Sequence, residues 1–246
     1  MSTESLASGL LWYPPMSDIL RTERTFELSS AGALVLERRV AARLPLARQD
    51  GWVRTVYLDD ADGALSRAIR VNPARSTKWR VRGYGPTPSG GTVWLEVKHR
   101  RDLVVRKLRQ PIDRASLPAA LGSRGLRAIA AVAYRRTAYE TAGGAVRITF
   151  DRDLCVGAPD ADALQVSSWR RLTAARIFEI KLAGGAPIPA WLAEWIPELG
   201  DEGYSKAAAA LDALSVPGAG AAAVDADLEP LRAAVEPVAA RRSAGS

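Results

Sequence analysis

The chain contains many short stretches in which apolar and polar residues alternate. Because successive side chains of a strand point to opposite faces, this alternation predicts strands with one apolar and one polar face. The stretches PTPSGG and TAGG each separate two such segments and are typical of hairpin turns. The predicted strands are residues 21–28, 52–60, 78–85, 92–100, 103–112, 133–140, 145–154 and 176–183.

A smaller part of the chain has apolar residues at helical spacing. This spacing predicts helices at residues 31–44, 114–132, 189–199 and 204–214, the second of them broken by Pro118 and Gly122. Antiparallel hairpins with helices at their edges indicate an α+β fold. We therefore expect one domain built on an antiparallel β-barrel or a strongly curved sheet with flanking helices.

Composition sets the expected domain boundaries. Residues 1–20 are predicted to be a loosely structured lead-in, residues 21–214 the single domain, and residues 215–246 a disordered tail rich in Ala, Gly and Pro. No apolar run approaches the roughly 18 residues of a membrane span, and the N-terminus lacks the pattern of a signal peptide. We expect a cytoplasmic protein that is not itself a membrane protein and that could act with a membrane partner. The lone Cys155 agrees with this location.

The charges favour an anionic partner, and the counts of His and Cys exclude a Cys/His metal site. The formal net charge is +7, and only five of the 34 basic residues are lysines. The few lysines therefore either reflect codon bias and chance, or occupy positions where the function requires a lysine. A Cys/His zinc cluster is excluded because the chain has one His and one Cys. Any metal is expected to be a hard cation held by carboxylate oxygens, such as Mg²⁺ or Mn²⁺.

Charged residues fall in pairs two positions apart within the predicted strands, so the members of each pair share a face. Such a face is either an ordinary wet surface or the lining of a charged cavity. Bases outnumber acids at these positions and Ser, Thr and Gln are few, which favours a cavity. Two like charges about 4 Å apart repel by roughly 4 kcal/mol at an effective dielectric constant near 20, and a phosphate chain would relieve that repulsion. The pairs are Arg80 with Arg82, Glu96 with Lys98, Lys107 with Arg109, and Glu179 with Lys181.

An ordered set of motifs resembles a known family. The stretches ERTFEL, YLDD, KWRVRGYG, LEVKHR, RKLR, AYRRTAYE, VRITFDRDL, FEIK, PAWL and YSK together resemble the VTC (vacuolar transporter chaperone) domain over roughly residues 20–214. This domain is the polyphosphate polymerase branch of the triphosphate tunnel metalloenzymes. The resemblance implies an antiparallel tunnel of about eight strands whose inward bases bind triphosphate or polyphosphate. It also implies transfer of the ATP γ-phosphate to a polyphosphate chain, with Mn²⁺ or Mg²⁺ as the metal.

The resemblance also implies roles for eleven residues. It assigns catalytic roles to Arg80, Arg82, Lys98, Lys107, Arg136 and Arg147. It assigns phosphate binding to Arg70, Arg109, Lys181 and Lys206, of which Arg70 matches least well because its spacing differs. It assigns the metal to Glu179.

Two positions depart from the family pattern. Thr25 stands where the family has a lysine and Gly203 where it has a base, and each departure removes one phosphate contact at an end of the tunnel. Three functions therefore stay open: a polymerase, a triphosphate or nucleotide hydrolase of the same fold, and a non-catalytic module that binds polyphosphate. A nucleic-acid partner is not expected, because the aromatic residues mostly alternate away from the bases.

Overall fold

The computed structural model describes residues 17–85, 92–160, 165–166, 168–200 and 202–215. Its nine strands are β1 (Ser17–Leu28), β2 (Leu46–Asp59), β3 (Arg75–Tyr84), β4 (Thr92–Arg101), β5 (Val104–Asp113), β6 (Arg127–Glu140), β7 (Val146–Gly157), β8 (Arg170–Arg171) and β9 (Arg176–Ala183). Its α-helices are α1 (Ser30–Ala41), α2 (Ala64–Val71), α3 (Leu117–Gly122), α4 (Ala190–Ala193) and α5 (Lys206–Ser215). Short 3₁₀ turns cover Arg114–Ser116 and Ile196–Glu198.

Eight of the strands form a closed antiparallel barrel. Their order is β6-β2-β3-β4-β5-β1-β9-β7, and pairing of β6 with β7 closes the ring. The short β8 pairs with the end of β7, where Cys155 lies opposite Arg171. Closure leaves no edge strand in the ring and divides its side chains into an inner and an outer set. The predicted antiparallel barrel with flanking helices is confirmed.

The outer face of the barrel carries the ordinary hydrophobic core. Helix α1 packs on β1, β7 and β9, and its buried residues Ala33, Leu36 and Val40 join a cluster around Phe150 and Phe178. The Ser29 hydroxyl caps this helix by accepting a hydrogen bond from the Gly32 amide. A second outer cluster joins α3 to β2, β3 and β4.

The inner face has an apolar part that is covered by α5. Tyr57 lies opposite Arg80 in the β2–β3 register, so both side chains belong to the inner set. Tyr57 nevertheless packs in a hydrophobic cluster with Val132 of β6 and with Ala207 and Leu211 of α5. The small alanines of α5 let the helix lie close to the strands. Helix α5 therefore fills one side of the barrel interior, and the rest of the inner face is left to charged residues.

Part of the predicted helix at residues 114–132 was wrong. The helix ends at Gly122, and residues 127–132 belong to β6. Ala131 packs outward, whereas Ala130 and Val132 pack inward against α5. A strand that is buried on both faces has no apolar–polar alternation, so its apolar run resembles a helix.

Other boundaries also differ from those predicted. Strand β1 begins at Ser17, inside the expected lead-in, and α2 was not predicted. Pro197 lies in the 3₁₀ turn that follows α4, so the helix predicted at residues 189–199 is only one short turn. The rest of the lead-in and the predicted tail beyond Ser215 lie outside the described residues. Among the helices described, none has the length and apolar character needed to cross a membrane.

Candidate functional site

The charged inner face of the barrel encloses a cavity of about 600 Å³, a volume that includes the space open to solvent. The pairs Arg80 with Arg82 and Glu179 with Lys181 therefore line a cavity and do not form a wet surface. Two carboxylates, Glu23 and Glu179, face nine basic side chains in this lining. The bases are Arg21, Lys78, Arg80, Arg82, Lys98, Arg100, Arg136, Lys181 and Lys206.

All five lysines of the chain belong to this interior. Four line the cavity itself. The fifth, Lys107, lies opposite Lys98 in the β4–β5 register and has a buried ammonium group. A scatter caused by codon bias would have placed some of them outside. A lysine ammonium is a compact point charge that can turn toward any phosphate oxygen, whereas a guanidinium needs a fixed fork geometry.

Glu179 and Asp151 orient the bases on one wall of the cavity. The Glu179 carboxylate accepts hydrogen bonds from Lys181 and, at 3.4 Å each, from Arg136 Nη2 and Thr149 Oγ1. Asp151 is fully buried and binds Arg136 Nη2 and Lys206 Nζ, each at 2.7 Å. Burial acts to raise the pKa of Glu179, but Lys181 and Arg136 hold that pKa well below its usual range. The carboxylate is therefore ionised at neutral pH.

Glu23 also orients basic side chains, one on β1 and one on β4. It is fully buried, binds Arg21 Nε at 2.6 Å and also pairs with Lys98. Burial acts to raise the pKa of Glu23, but Lys98, Arg21 and Lys181 together outweigh it and the pKa falls to about 2. Glu23 lies opposite Lys181 in the β1–β9 register, so it joins the two walls of the cavity.

Four cations surround one carboxylate on the wall formed by β3, β4 and β5. Glu96 is fully buried and lies 2.7 Å from Arg80 Nη2, 3.1 Å from Lys107 Nζ, 3.5 Å from Arg109 Nε and 3.6 Å from Arg82 Nη1. The single negative charge of Glu96 cannot balance these four positive charges. A bound anion would therefore be stabilised here by an arrangement that already exists.

Burial beside other cations lowers the pKa values of two lysines. Burial lowers the pKa of Lys78 to about 7, helped by Lys98 and Arg100. Burial also lowers the pKa of Lys107 to about 7, although Glu96 opposes the shift. Lys78 Nζ donates to Ser205 Oγ at 3.1 Å, immediately before α5. Both lysines are poised to take up a proton when negative charge arrives.

Aromatic rings and arginines meet where β3 ends and β4 begins. Tyr84 is two residues from Arg82 and Trp94 is two residues from Glu96, so both share the inner face. The Arg109 guanidinium carbon lies 3.5 Å from the centroid of the Trp94 ring and 5.8 Å from that of Tyr84. Arg48 approaches the Tyr84 ring at 4.6 Å. This arginine–aromatic group is the kind of surface on which a flat, electron-rich ring stacks.

The structure brings most of the predicted site residues together. Arg80, Arg82, Lys98, Arg136, Lys181, Lys206 and Glu179 line the cavity. Lys107 and Arg109 join it through Glu96. Arg147 lies opposite Lys181 on the inner face but pairs with Glu140 at 2.7 Å and is about one-third exposed, so it belongs to the rim.

Arg70 does not belong to this group. It lies on α2, where its guanidinium donates to the Leu211 carbonyl at 2.9 Å and contacts Asp212. Its place is explained by helix packing, since it ties α2 to α5. The motif-based assignment missed Lys78, Arg100, Tyr57, Tyr134 and Ser205. The strand period points to the first, because Lys78 precedes Arg80 by two residues and therefore shares its face.

Three carboxylates around the cavity have the donor atoms that a divalent cation needs. Glu179, Glu23 and Asp151 offer the oxygen donors that Mg²⁺ and Mn²⁺ prefer. Each of them is already bound to Lys or Arg, and the described residues contain no cluster of three or more acidic, His or Cys side chains that could hold a metal. They therefore fit a cation whose remaining ligands are phosphate oxygens and water, and do not form a cage of their own.

A closed antiparallel barrel with arginines and lysines on its inner face defines the triphosphate tunnel class of proteins. Within that class, residues 115–207, from the 3₁₀ turn before α3 to the start of α5, match the sequence model of the VTC domain. For residues 115–207 this match confirms the resemblance predicted from the motifs. A comparison with curated protein sequences gave no match.

Solved structures superpose on the chain at low sequence identity. A protein from Hippeastrum, proposed to be an adenylyl cyclase and described as having a dominant triphosphatase activity, has a TM-score of 0.49 at 13% identity, covering 82% of this chain and 98% of that chain. A protein from Vibrio parahaemolyticus, also proposed to be an adenylate cyclase, has a TM-score of 0.44 at 14% identity, covering 74% and 84%. Both scores lie below 0.5, so the class rests on the barrel, its inward bases and the family match.

The two departures from the family pattern are neighbours in space. The Gly203 amide donates to the Thr25 carbonyl at 2.8 Å, and Thr25 lies opposite Glu179 in the β1–β9 register. Gly203 has a φ of 116°, a conformation that favours glycine over any basic residue. The two missing bases therefore belong to one place in the fold, where Thr25 lies opposite Glu179.

We predict that tripolyphosphate binding is linked to proton uptake. In the free protein Lys78 and Lys107 have pKa values near 7, and bound phosphate should raise both. Affinity should therefore fall as the pH rises above 7, and at about pH 8.5 binding should take up more protons than at about pH 6. Calorimetry in two buffers of different ionisation enthalpy measures this uptake. A Lys78→Arg, Lys107→Arg variant is the control, and equal uptake by both proteins at about pH 8.5 would contradict the prediction.

Proposed function

We propose that the protein is a metal-dependent phosphotransferase that transfers the γ-phosphate of ATP to a polyphosphate chain inside the barrel. The buried excess of bases over acids around one cavity is the observation that carries this proposal. Phosphate chains relieve such an excess well, because each unit is a compact anion with several acceptor oxygens. The confirmed resemblance to the VTC domain, a polyphosphate polymerase domain, supports the same reaction class.

Phosphoryl transfer requires positioning and charge stabilisation more than a reactive side chain. The terminal phosphate of the acceptor attacks the γ-phosphorus of ATP, and ADP leaves. Arg80 and Arg82 on one wall and Arg136 on the other hold the two phosphate groups in line. Lys181 and Lys206 stabilise the charge that develops on the transferred oxygens. Asp151 positions two of these bases, Arg136 and Lys206.

Glu179 is the proposed metal ligand, with Glu23 as the second carboxylate in the cavity lining. When bound, Mg²⁺ or Mn²⁺ neutralises phosphate charge and orients phosphate oxygens. The ammonium of Lys181, which pairs with Glu179 in the free protein, would then turn to a phosphate oxygen. Thr25, which lies opposite Glu179, brings no positive charge that would compete with the cation for this carboxylate.

The arginine–aromatic group supports a nucleotide as the phosphate donor. Tyr84 lies two residues beyond Arg82 on β3, and Trp94 lies two residues before Glu96 on β4. Two residues of a strand span about 7 Å between Cα atoms. A nucleotide whose phosphates bind Arg80 and Arg82 can therefore place its base against Trp94. Bare triphosphate has no group that would use these rings.

The products of the reaction separate the proposal from its alternatives. We expect purified protein with ATP and Mn²⁺ to form long phosphate chains, observed by ³¹P NMR, and Glu179→Gln to lower the rate about 10- to 100-fold by removing a metal ligand. The exposed Glu198→Gln is the matched control and should keep full activity. Free phosphate without chains would identify a hydrolase. Binding of tripolyphosphate without turnover would identify a binding module.

Replacing Trp94 should weaken binding of the nucleotide alone. Stacking of a base on an aromatic ring is worth about 1–3 kcal/mol, so Trp94→Leu should raise the KM for ATP roughly 10-fold. The affinity for tripolyphosphate should change less than about twofold, because no phosphate contact is removed. Trp195→Leu, on the outer surface beside α4, is the control. An equal loss for ATP and for tripolyphosphate would show that Trp94 supports the phosphate site and not the base.

A further inference from the structure

A second basic surface lies outside the barrel, at the hairpin between β4 and β5. It is a shallow depression on the outer face of β3, β4 and β5 beside α2, and we call it the outer groove. Its lining includes Arg75, Thr77, His99, Arg101, Val104 and Arg106. None of these residues has a role in the reaction described above.

The outer groove has an excess of positive charge. Four arginines contribute to it, and the one carboxylate in its lining, Asp102, already binds Arg75 at 2.8 Å. Arg75 lies directly opposite Arg101 across β3 and β4, and His99 lies opposite Arg106 across β4 and β5. The two arginines placed directly opposite each other repel, so a bound anion would stabilise this surface.

Arg100 connects the outer groove to the cavity. It lines both, and it lies two residues beyond Lys98 on the inner face of β4. Its guanidinium turns over the end of the strand and donates to the Asp102 carbonyl at 2.7 Å. A continuous line of bases therefore runs from Lys98 over Arg100 to Arg101 and Arg106.

We propose that the outer groove binds the part of a phosphate chain that extends beyond the cavity. The inference rests on the proposed function in one respect, that the cavity holds phosphate. A chain longer than the cavity must leave it, and the rim at Arg100 offers the next cations. The outer groove then distinguishes long chains from triphosphate, which stays inside.

Exposed apolar residues near the outer groove suggest a different occupant, an anionic membrane surface. Leu20, Leu103 and Val104 are 40–60% exposed at this end of the barrel. The phosphate chain is favoured because the bases continue those of the cavity through Arg100, a link that binding to a membrane does not require. The experiment includes vesicles so that the two can be separated.

The test compares a long chain with a short one on the same variants. Affinities for tripolyphosphate and for a polyphosphate of several tens of units are measured by calorimetry for wild type and for Arg101→Gln with Arg106→Gln. We expect the double variant to bind the long chain about 10-fold or more weakly and tripolyphosphate within about twofold of wild type. The matched control is Arg38→Gln with Arg39→Gln, which removes two exposed bases from α1 and should leave both affinities unchanged.

Each other outcome overturns the inference. An unchanged affinity for the long chain would show that the outer groove does not hold it, and an equal loss for both ligands would place the effect in the cavity. Loss of binding to phosphatidylserine vesicles with an unchanged affinity for the chain would assign the surface to a membrane. Failure of the wild type to bind either phosphate ligand would overturn the proposed function as well, whereas intact tripolyphosphate binding confines the failure to the outer groove.

Discussion

Repulsion among buried cations is the constraint on which the rest of this structure depends. A closed barrel sends every second side chain inward, and here many of those positions hold Arg or Lys. Each is costly to bury without a partner. Three fully buried carboxylates, Glu23, Glu96 and Asp151, hold the bases apart and aim them, but they are too few to neutralise them. The remaining charge makes the interior a binding site for an anion.

The apolar packing serves this charged interior. Two hydrophobic clusters cover the outside of the barrel, so most of the apolar packing of the strands lies away from the charged cavity. The third cluster places α5 inside, which narrows the space and brings Lys206 to Asp151. Ser205, at the start of this helix, reaches Lys78 on the other side. The helix therefore completes the cavity wall and fixes its width.

Alternation along the chain predicted most of the strands, the barrel and the shared faces of the charged pairs, because a strand's period is local information. The period failed at residues 127–132, where α5 buries the inner face of β6 as completely as the outer face is buried. Helix α5 was predicted, but its place inside the barrel depends on tertiary packing that its sequence does not carry.

The local sequence pattern also did not predict which charged side chains form ion pairs with each other. Glu96 shares a face of β4 with Lys98, yet its contacts come from β3 and β5, and Lys98 pairs with Glu23 of β1. Those contacts follow from strand order and register, which alternation does not specify. Arg70 shows the opposite case. A motif placed it in the site, but its guanidinium binds the Leu211 carbonyl and ties α2 to α5.

The most direct measurement of the central claim is a calorimetric titration of tripolyphosphate into wild type and into the Arg80→Ala, Arg82→Ala variant, with folding of both confirmed by circular dichroism. The account predicts binding by wild type and a loss of at least about 100-fold in the variant, because two charge-assisted contacts at about 1.5–3 kcal/mol each are removed. Binding of equal strength by both proteins would contradict it, because phosphate would then be held somewhere other than the barrel interior.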